Sequence, residues 1–265
     1  MSTDDQYINI ERLRNPIDWK DLDKEPEVRK NIKIRRAKEL GVVAVLFDDK
    51  QVSERISELA FLERNLRNGV IDETVYATIL RGGVPFAAPF FGHMASLRPN
   101  MNPIVDYVQA SRYGESQQGS GLKVYRKLGP KTDIAGKTLM LVDDVTDEGL
   151  TLEELLKIAL DDNECHILGD SVTGPAKDVG AIVLGDKQIG KYEGFNQGMV
   201  LQGFWLPNAW AGGVGLDGPN EFMRWMPELV LTAVQHEKYR ESMPEILDKL
   251  GERAVMGMDE ITWIS

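Results

Sequence analysis

An α/β fold, with a mainly parallel twisted sheet flanked by helices, is predicted by the way short apolar runs alternate with polar turns and helical patterns. "VYATIL" precedes "RGGVPFAAPFFGHMASL", "PIVDYVQA" precedes "SRYGESQQGSG", and "TLMLVDD" precedes "TLEELLKIAL". Strands covered by helices on both faces read as near-continuous apolar runs, and their crossovers return at a 3.6-residue period. In such sheets ligands gather beyond the carboxyl ends of the strands. The turns after Leu80 and Asp144 are therefore the first places to look for chemistry.

A chain of 265 residues with 42% hydrophobic content can bury one large core, with or without appendages. It has no apolar run long enough to span a bilayer, and its N-terminus "MSTDDQYINIERL" lacks a basic and apolar leader, so a soluble, cytoplasmic protein without membrane contact is expected. Cys165 is the only cysteine, which excludes an internal disulfide and a thiolate-rich metal site and suggests a buried, inert thiol. His93, His166 and His236 are too widely spaced to form a helical zinc-binding pair. A net charge of -11 disfavours broad contact with a nucleic-acid backbone. A small anionic ligand would need local help from backbone amides, a few cations or a metal.

Taken in order, "EVRKNIKIRRAKELG" reads as a charged helix ended by Gly41, either a solvated face or an oligomer contact. Val52, Ile56, Leu59, Leu62 and Leu66 form a helical stripe that closes at Gly69. "AIVL" and "AGGVGL" read as later strands, and the residues after Pro227 as helices.

Between strand and helix lies "LMLVDDVTDEGLTLEELL". Thr151 and Glu154 match a capping box, which places the backbone N–H groups of residues 148–152 at a helix N-terminus. Free amides and the positive end of the macrodipole make an anion site there, most naturally for phosphate. Gly149 permits close backbone approach, and Thr151 can add its hydroxyl. The adjacent Asp143 and Asp144 can hold a hydroxylated sugar or a magnesium ion, although acids in such a turn also serve merely to solvate a loop. "LRGGVPFAA" repeats the construction with a cation, Arg81, and the paired glycines Gly82 and Gly83. An EF-hand frame fails at Val145 and Thr146, and "GDKQIGKY" misses the P-loop hydroxyl at Tyr192.

These residues carry a family resemblance. "LMLVDDVTDEGLTL" resembles the phosphoribosyl-diphosphate motif of type I phosphoribosyltransferases, "ILRGGVPFAA" their pyrophosphate loop, and "VDYVQASRYGESQQGSG" their mobile loop. "FWLPNAWAGGVGLDGPNEFMR" resembles the purine-binding end of the hypoxanthine-guanine branch. The resemblance implies a phosphoribosyltransferase core with a smaller purine-binding hood over residues 46–230, a charged N-terminal extension over 1–45 and a helical C-terminal extension over 231–265. It further implies that the backbone of Asp147, Glu148, Gly149, Leu150 and Thr151 holds the 5'-phosphate, while Asp143 and Asp144 face the ribose hydroxyls and magnesium (Mg2+). Asp147 becomes the acid-base group at purine N7, and Arg81 and Gly82 bind pyrophosphate in a loop where the family often holds a cis peptide.

By the same resemblance Lys187 meets the purine 6-oxo group, with Lys191 as the substitute, Trp210 stacks on the base and Ala211 offers backbone polar groups. Asp217 holds a second magnesium, Arg224 reaches the pyrophosphate, and Arg112 and Tyr113 belong to the closing loop. Glu148 and Arg112 stand where many members have Thr and Ser, and one extra residue lies between Asp217 and Arg224. The expected partners are phosphoribosyl diphosphate, a purine base, a nucleoside monophosphate and pyrophosphate, in a homodimer or homotetramer. A nucleotide-sensing regulator on the same fold and a transferase for xanthine or another base are the alternatives.

Overall fold

The computed structural model describes residues 42–67, 73–97, 103–112, 122–187, 199–206, 211–217 and 221–232. The helix expected to end at Gly41, the stop at Gly69 and the residues beyond 232 lie outside the described residues. The chain divides into two compact units, one joining Met1–Arg55 to Phe204–Glu260, the other holding Ile56–Gly203 with Ile261–Ser265.

In the Ile56–Gly203 unit the predicted alternation is present. Strand β2 (Thr74–Ile79) leads to helix α2 (Gly83–Leu97), and β3 (Ile104–Arg112) turns back into β4 (Leu122–Arg126). Strand β5 (Thr138–Thr146) leads to α3 (Leu150–Leu160), followed by β6 (Asp178–Asp186). With β7 (Met199–Trp205) these strands form one sheet in the order β4-β3-β2-β5-β6-β7. Strand β2 runs parallel to both β3 and β5, and β5 parallel to β6. The β3–β4 pair is antiparallel. Every residue of β2 is buried, as both-face coverage requires.

Side-chain alternation divides β5 between two faces. Leu139 and Leu141 enter a core cluster with Leu152, Leu155 and Leu156 of α3. Cys165 lies in the same cluster as a buried free thiol, as expected.

Helix α1 (Asp49–Leu66) begins at a capping box that the sequence analysis did not single out. The Gln51 N–H donates to Asp48 Oδ1 at 2.9 Å, and the Asp48 N–H donates to Gln51 Oε1 at 3.0 Å. Val52, Ile56 and Leu59 are buried as predicted, but the stripe does not continue through Leu62 and Leu66, which are half-buried. Glu63 and Arg67 take the inward positions instead, at 0% and 8% exposure.

In the other unit, β1 (Val42–Phe47), β9 (Leu229–Thr232) and β8 (Ala211–Gly212) form a small antiparallel sheet in the order β1-β9-β8. Two sequence expectations change here. "AGGVGL" is a strand only over Ala211–Gly212; the chain then turns, with Gly213 and Leu216 forming an isolated bridge and Gly213, Val214 and Gly215 all at positive φ. The residues just after Pro227 are extended, not helical, because β1 supplies a distant pairing partner for "LVLT".

Candidate functional site

The carboxyl end of β5 carries the acidic turn. Asp147 and Glu148 are exposed, Gly149 is buried and Thr151 half-buried. Gly149 is the N-cap of α3 with φ 72°, a left-handed conformation that glycine adopts without a Cβ penalty, and no side chain caps the helix. The predicted capping box is therefore absent. Helix α3 begins one residue before Thr151, and Glu154 is engaged elsewhere, its Oε1 accepting the Leu122 N–H of β4 at 2.9 Å. The first turn presents its backbone N–H groups with no protein side chain capping them, at the positive end of an 11-residue helix.

Lys187 follows β6 directly, and its backbone N–H donates to the Thr146 carbonyl at 3.0 Å. This bond brings the lysine against the turn: Nζ lies 2.7 Å from Asp147 Oδ1, with the lysine side chain 13% and the aspartate 54% exposed. No local sequence signal marks this ion pair, because 40 positions separate the two residues and the β5–β6 register brings them together.

The two adjacent aspartates do not share a face. Asp143 is in phase with Leu139 and Leu141, on the α3 side, and is half-buried; its Oδ1 accepts the Asp144 N–H at 3.0 Å. Asp144 is out of phase, 7% exposed, and lies against the turn that precedes α2. In that turn Arg81 is exposed, the Leu80–Arg81 peptide is cis, and the Val84 N–H donates to the Arg81 carbonyl at 3.4 Å. Arg81, Gly82, Asp143, Asp144, Asp147, Glu148, Gly149, Leu150, Thr151 and Lys187 thus come from the carboxyl ends of β2, β5 and β6, neighbouring strands of one sheet.

In the other unit Arg224 closes the turn after β8. Its Nη1 donates to the Gly215 carbonyl at 2.6 Å and its Nη2 to Asp217 Oδ2 at 2.8 Å. The extra residue between Asp217 and Arg224 does not prevent the two from pairing. Tyr113, Trp210 and Lys191 lie outside the described residues, and Arg112 is the last residue of β3.

Among the described residues no three His, Cys, Asp or Glu side chains converge as a metal cage. Mg2+ rarely needs one, since it keeps several waters and binds through one or two carboxylates plus substrate phosphates. The half-buried Asp143 fits an ion that arrives with a polyphosphate.

The sequence profile of the phosphoribosyl transferase domain matches residues 33–193. The chain belongs to this family. That confirms the resemblance read from the acidic turn, and the parallel sheet confirms the α/β fold class. Among curated phosphoribosyltransferases, the chain is 29% identical over 116 residues to a hypoxanthine-guanine phosphoribosyltransferase of Dictyostelium discoideum, a match covering 43% of this chain and 61% of that one. It is 28% identical over 188 residues to the hypoxanthine-guanine phosphoribosyltransferase of Aquifex aeolicus, covering 71% and 93% respectively. A solved phosphoribosyltransferase, the hypoxanthine phosphoribosyltransferase of Staphylococcus aureus, shares the fold with a TM-score of 0.58 at 18% identity, covering 77% of this chain and 97% of that one. Among the described residues no helix is long and apolar enough to cross a membrane.

Glu148 is exposed in the acidic turn, at a place where the resemblance has Thr in many members. Two unit charges about 6 Å apart in a mostly aqueous setting repel by roughly 0.7 kcal/mol, and a dianionic phosphate about doubles that. Glu148→Gln is therefore expected to tighten donor binding by roughly three- to tenfold at low salt, with the gain shrinking as salt screens it. Titration calorimetry with phosphoribosyl diphosphate at two ionic strengths measures both effects. An unchanged affinity would mean that the carboxylate points away from the phosphate.

Proposed function

We propose that the chain transfers the 5-phosphoribosyl group from phosphoribosyl diphosphate to a 6-oxopurine, hypoxanthine or guanine, releasing pyrophosphate and giving the nucleoside monophosphate of purine salvage. The observation that carries this reading is the side-chain-free entry to α3, set beside an aspartate–lysine pair at the ends of adjacent parallel strands.

The chemistry follows from that arrangement. The bond from the ribose anomeric carbon to the diphosphate breaks as the purine nitrogen bonds to that carbon. Positive charge develops on the sugar and negative charge on the departing oxygens. The N–H groups at the start of α3 hold the 5'-phosphate and so fix the sugar. Asp143 faces the ribose, where a carboxylate tolerates the developing cation. Arg81 and the Gly82 backbone receive the diphosphate. Asp147 takes or shares the proton at purine N7, and Lys187, held against it, donates to the 6-oxo group. Asp143 would hold magnesium, as would Asp217 by the resemblance, and the bound ion would supply positive charge to offset that of the leaving group. Trp210, Ala211, Arg224, Arg112 and Tyr113 are assigned to the base, the pyrophosphate and the closing loop on the resemblance alone, as are a cytoplasmic setting and a homodimer or homotetramer.

The test is a panel of hypoxanthine, guanine, xanthine and adenine with phosphoribosyl diphosphate and magnesium, following nucleotide formation. Turnover of hypoxanthine or guanine is expected. Preference for xanthine moves the substrate assignment, and no turnover with any base removes the reading.

Lys187→Ala is expected to raise the KM for the purine by about tenfold or more, the effect of losing one charged hydrogen bond, with donor affinity within about twofold. Steady-state kinetics with each substrate varied in turn gives the split. If Lys191→Ala damages purine use and Lys187→Ala does not, the lysine assignment is shifted.

A further inference from the structure

The Arg81–Gly83 turn, which the reading above assigns to the diphosphate, is built against the end of β5 through Asp144. A Cβ placed on Gly82 would stand 2.5 and 2.6 Å from the two Asp144 carboxylate oxygens and 2.7 Å from its Cγ. The space a side chain would need at residue 82 is thus already filled by that carboxylate. Asp144 is only 7% exposed, so it cannot swing into solvent to make room. Gly83 is confined as well, its ideal Cβ lying 2.7 Å from the Val142 carbonyl oxygen and 3.1 Å from Thr78 Cγ2. The Arg81–Gly83 turn therefore rests directly on the end of β5.

Charge explains why an aspartate suits this place. A buried carboxylate is costly away from donors, whereas the start of a helix offers uncommitted N–H groups and the positive end of a macrodipole. Helix α2 starts at Gly83, beside the carboxylate. Asp143, by contrast, is half-buried on the opposite face of the strand. Adjacent in sequence, the two acids are suited to different tasks.

We propose that Asp144 is a positioning residue: its carboxylate seats the Arg81–Gly83 turn and acts on the diphosphate through Gly82, leaving Asp143 as the carboxylate that meets the sugar. The assignment rests on the phosphoribosyltransferase reading. It predicts a split that a ribose ligand would not produce. Asp144→Asn keeps the shape of the seat and removes its charge. It is expected to weaken magnesium pyrophosphate binding by about tenfold or more while nucleoside monophosphate binding stays within about twofold.

Gly82→Ala should weaken pyrophosphate in the same way, because the new methyl group and the carboxylate compete for one space. Adding Asp144→Ala to Gly82→Ala should then cost less than the product of the two single effects, as expected for residues in contact. The experiment is calorimetric titration of the full-length protein and its variants with magnesium pyrophosphate and with inosine monophosphate, alongside thermal unfolding. Equal losses for both ligands in Asp144→Asn, no loss for either, or a fully multiplicative double variant would each overturn the proposal. These are binding measurements, so a parent protein that binds both ligands but turns over no base fails the functional reading while the positioning role is still decided. A folded parent that binds neither ligand overturns both.

Discussion

Asp147→Asn is expected to lower turnover by about 10²- to 10⁴-fold, the usual contribution of a positioned acid-base group, with the affinity for phosphoribosyl diphosphate nearly unchanged. The separation follows from how the turn is built. The 5'-phosphate is assigned to backbone N–H groups at the start of α3, which this substitution leaves in place. The Asp147 side chain is 54% exposed and meets Lys187 Nζ at 2.7 Å, so it takes part in no buried packing. An asparagine can keep its oxygen toward the lysine, but its amide cannot accept a proton from purine N7. Stability should change by no more than about 0.5 kcal/mol, as is usual for exposed positions. Single-turnover nucleotide formation, donor titration and thermal unfolding on the same preparation test the three parts separately. Unchanged turnover would remove Asp147 from the chemistry, and an equal loss of donor affinity would reassign it to phosphate binding.

Those features of the site that are local in sequence were legible from the residues. An apolar run, a glycine-bearing turn and a 3.6-residue pattern sufficed to place β2 before α2 and β5 before α3, because each signal lies within about 20 residues. The profile match and the parallel sheet then agree with the motif reading of the acidic turn. Features that depend on a distant partner were not legible. "LVLT" has too few residues to show a period of its own and becomes β9 by pairing with β8 and with β1, the latter nearly the whole described chain away. Thr151 and Glu154 satisfy the capping pattern, yet β4 claims the glutamate and Gly149 enters the helix through positive φ. Asp143 and Asp144 look like a pair in sequence, and only the continuation of β5 to Thr146 sends them to opposite faces. Glu63 and Arg67 are charged residues at inward helical positions, where the apolar stripe was expected to pass through Leu62 and Leu66.

Arg67→Met should destabilise the fold by about 3–5 kcal/mol, because removing one partner of a buried ion pair leaves the other charge uncompensated. Arg67 Nε donates to Glu63 Oε1 at 3.1 Å, its Nη1 lies 3.5 Å from Asp178 Oδ2, and Nη2 reaches the Met140 sulfur. The Tyr76 hydroxyl donates to the same Glu63 oxygen at 3.0 Å, so the cluster ties α1 to β2, β5 and β6. Glu63 is fully buried, and its Oε2 has no hydrogen-bond partner among the described residues. Burial pushes the Glu63 carboxyl above the ordinary carboxylate range, with the Arg67 guanidinium and the Tyr76 hydroxyl pulling it back down. Without the guanidinium the upward push is less opposed, so in the variant the folded state holds the Glu63 proton more tightly than the unfolded chain does. Stability from that proton is fully present below the unfolded carboxylate pKa and is lost as pH rises through the folded one. The deficit of Arg67→Met should therefore widen from mildly acidic to alkaline pH, with a fall in Tm of roughly 10 °C near neutrality. Pairing it with Glu63→Met, which removes the stranded charge, should recover much of the loss. Thermal unfolding of both variants across pH decides the matter: a deficit that is constant with pH, or a double variant no better than Arg67→Met alone, would mean that packing rather than charge accounts for the role of Arg67.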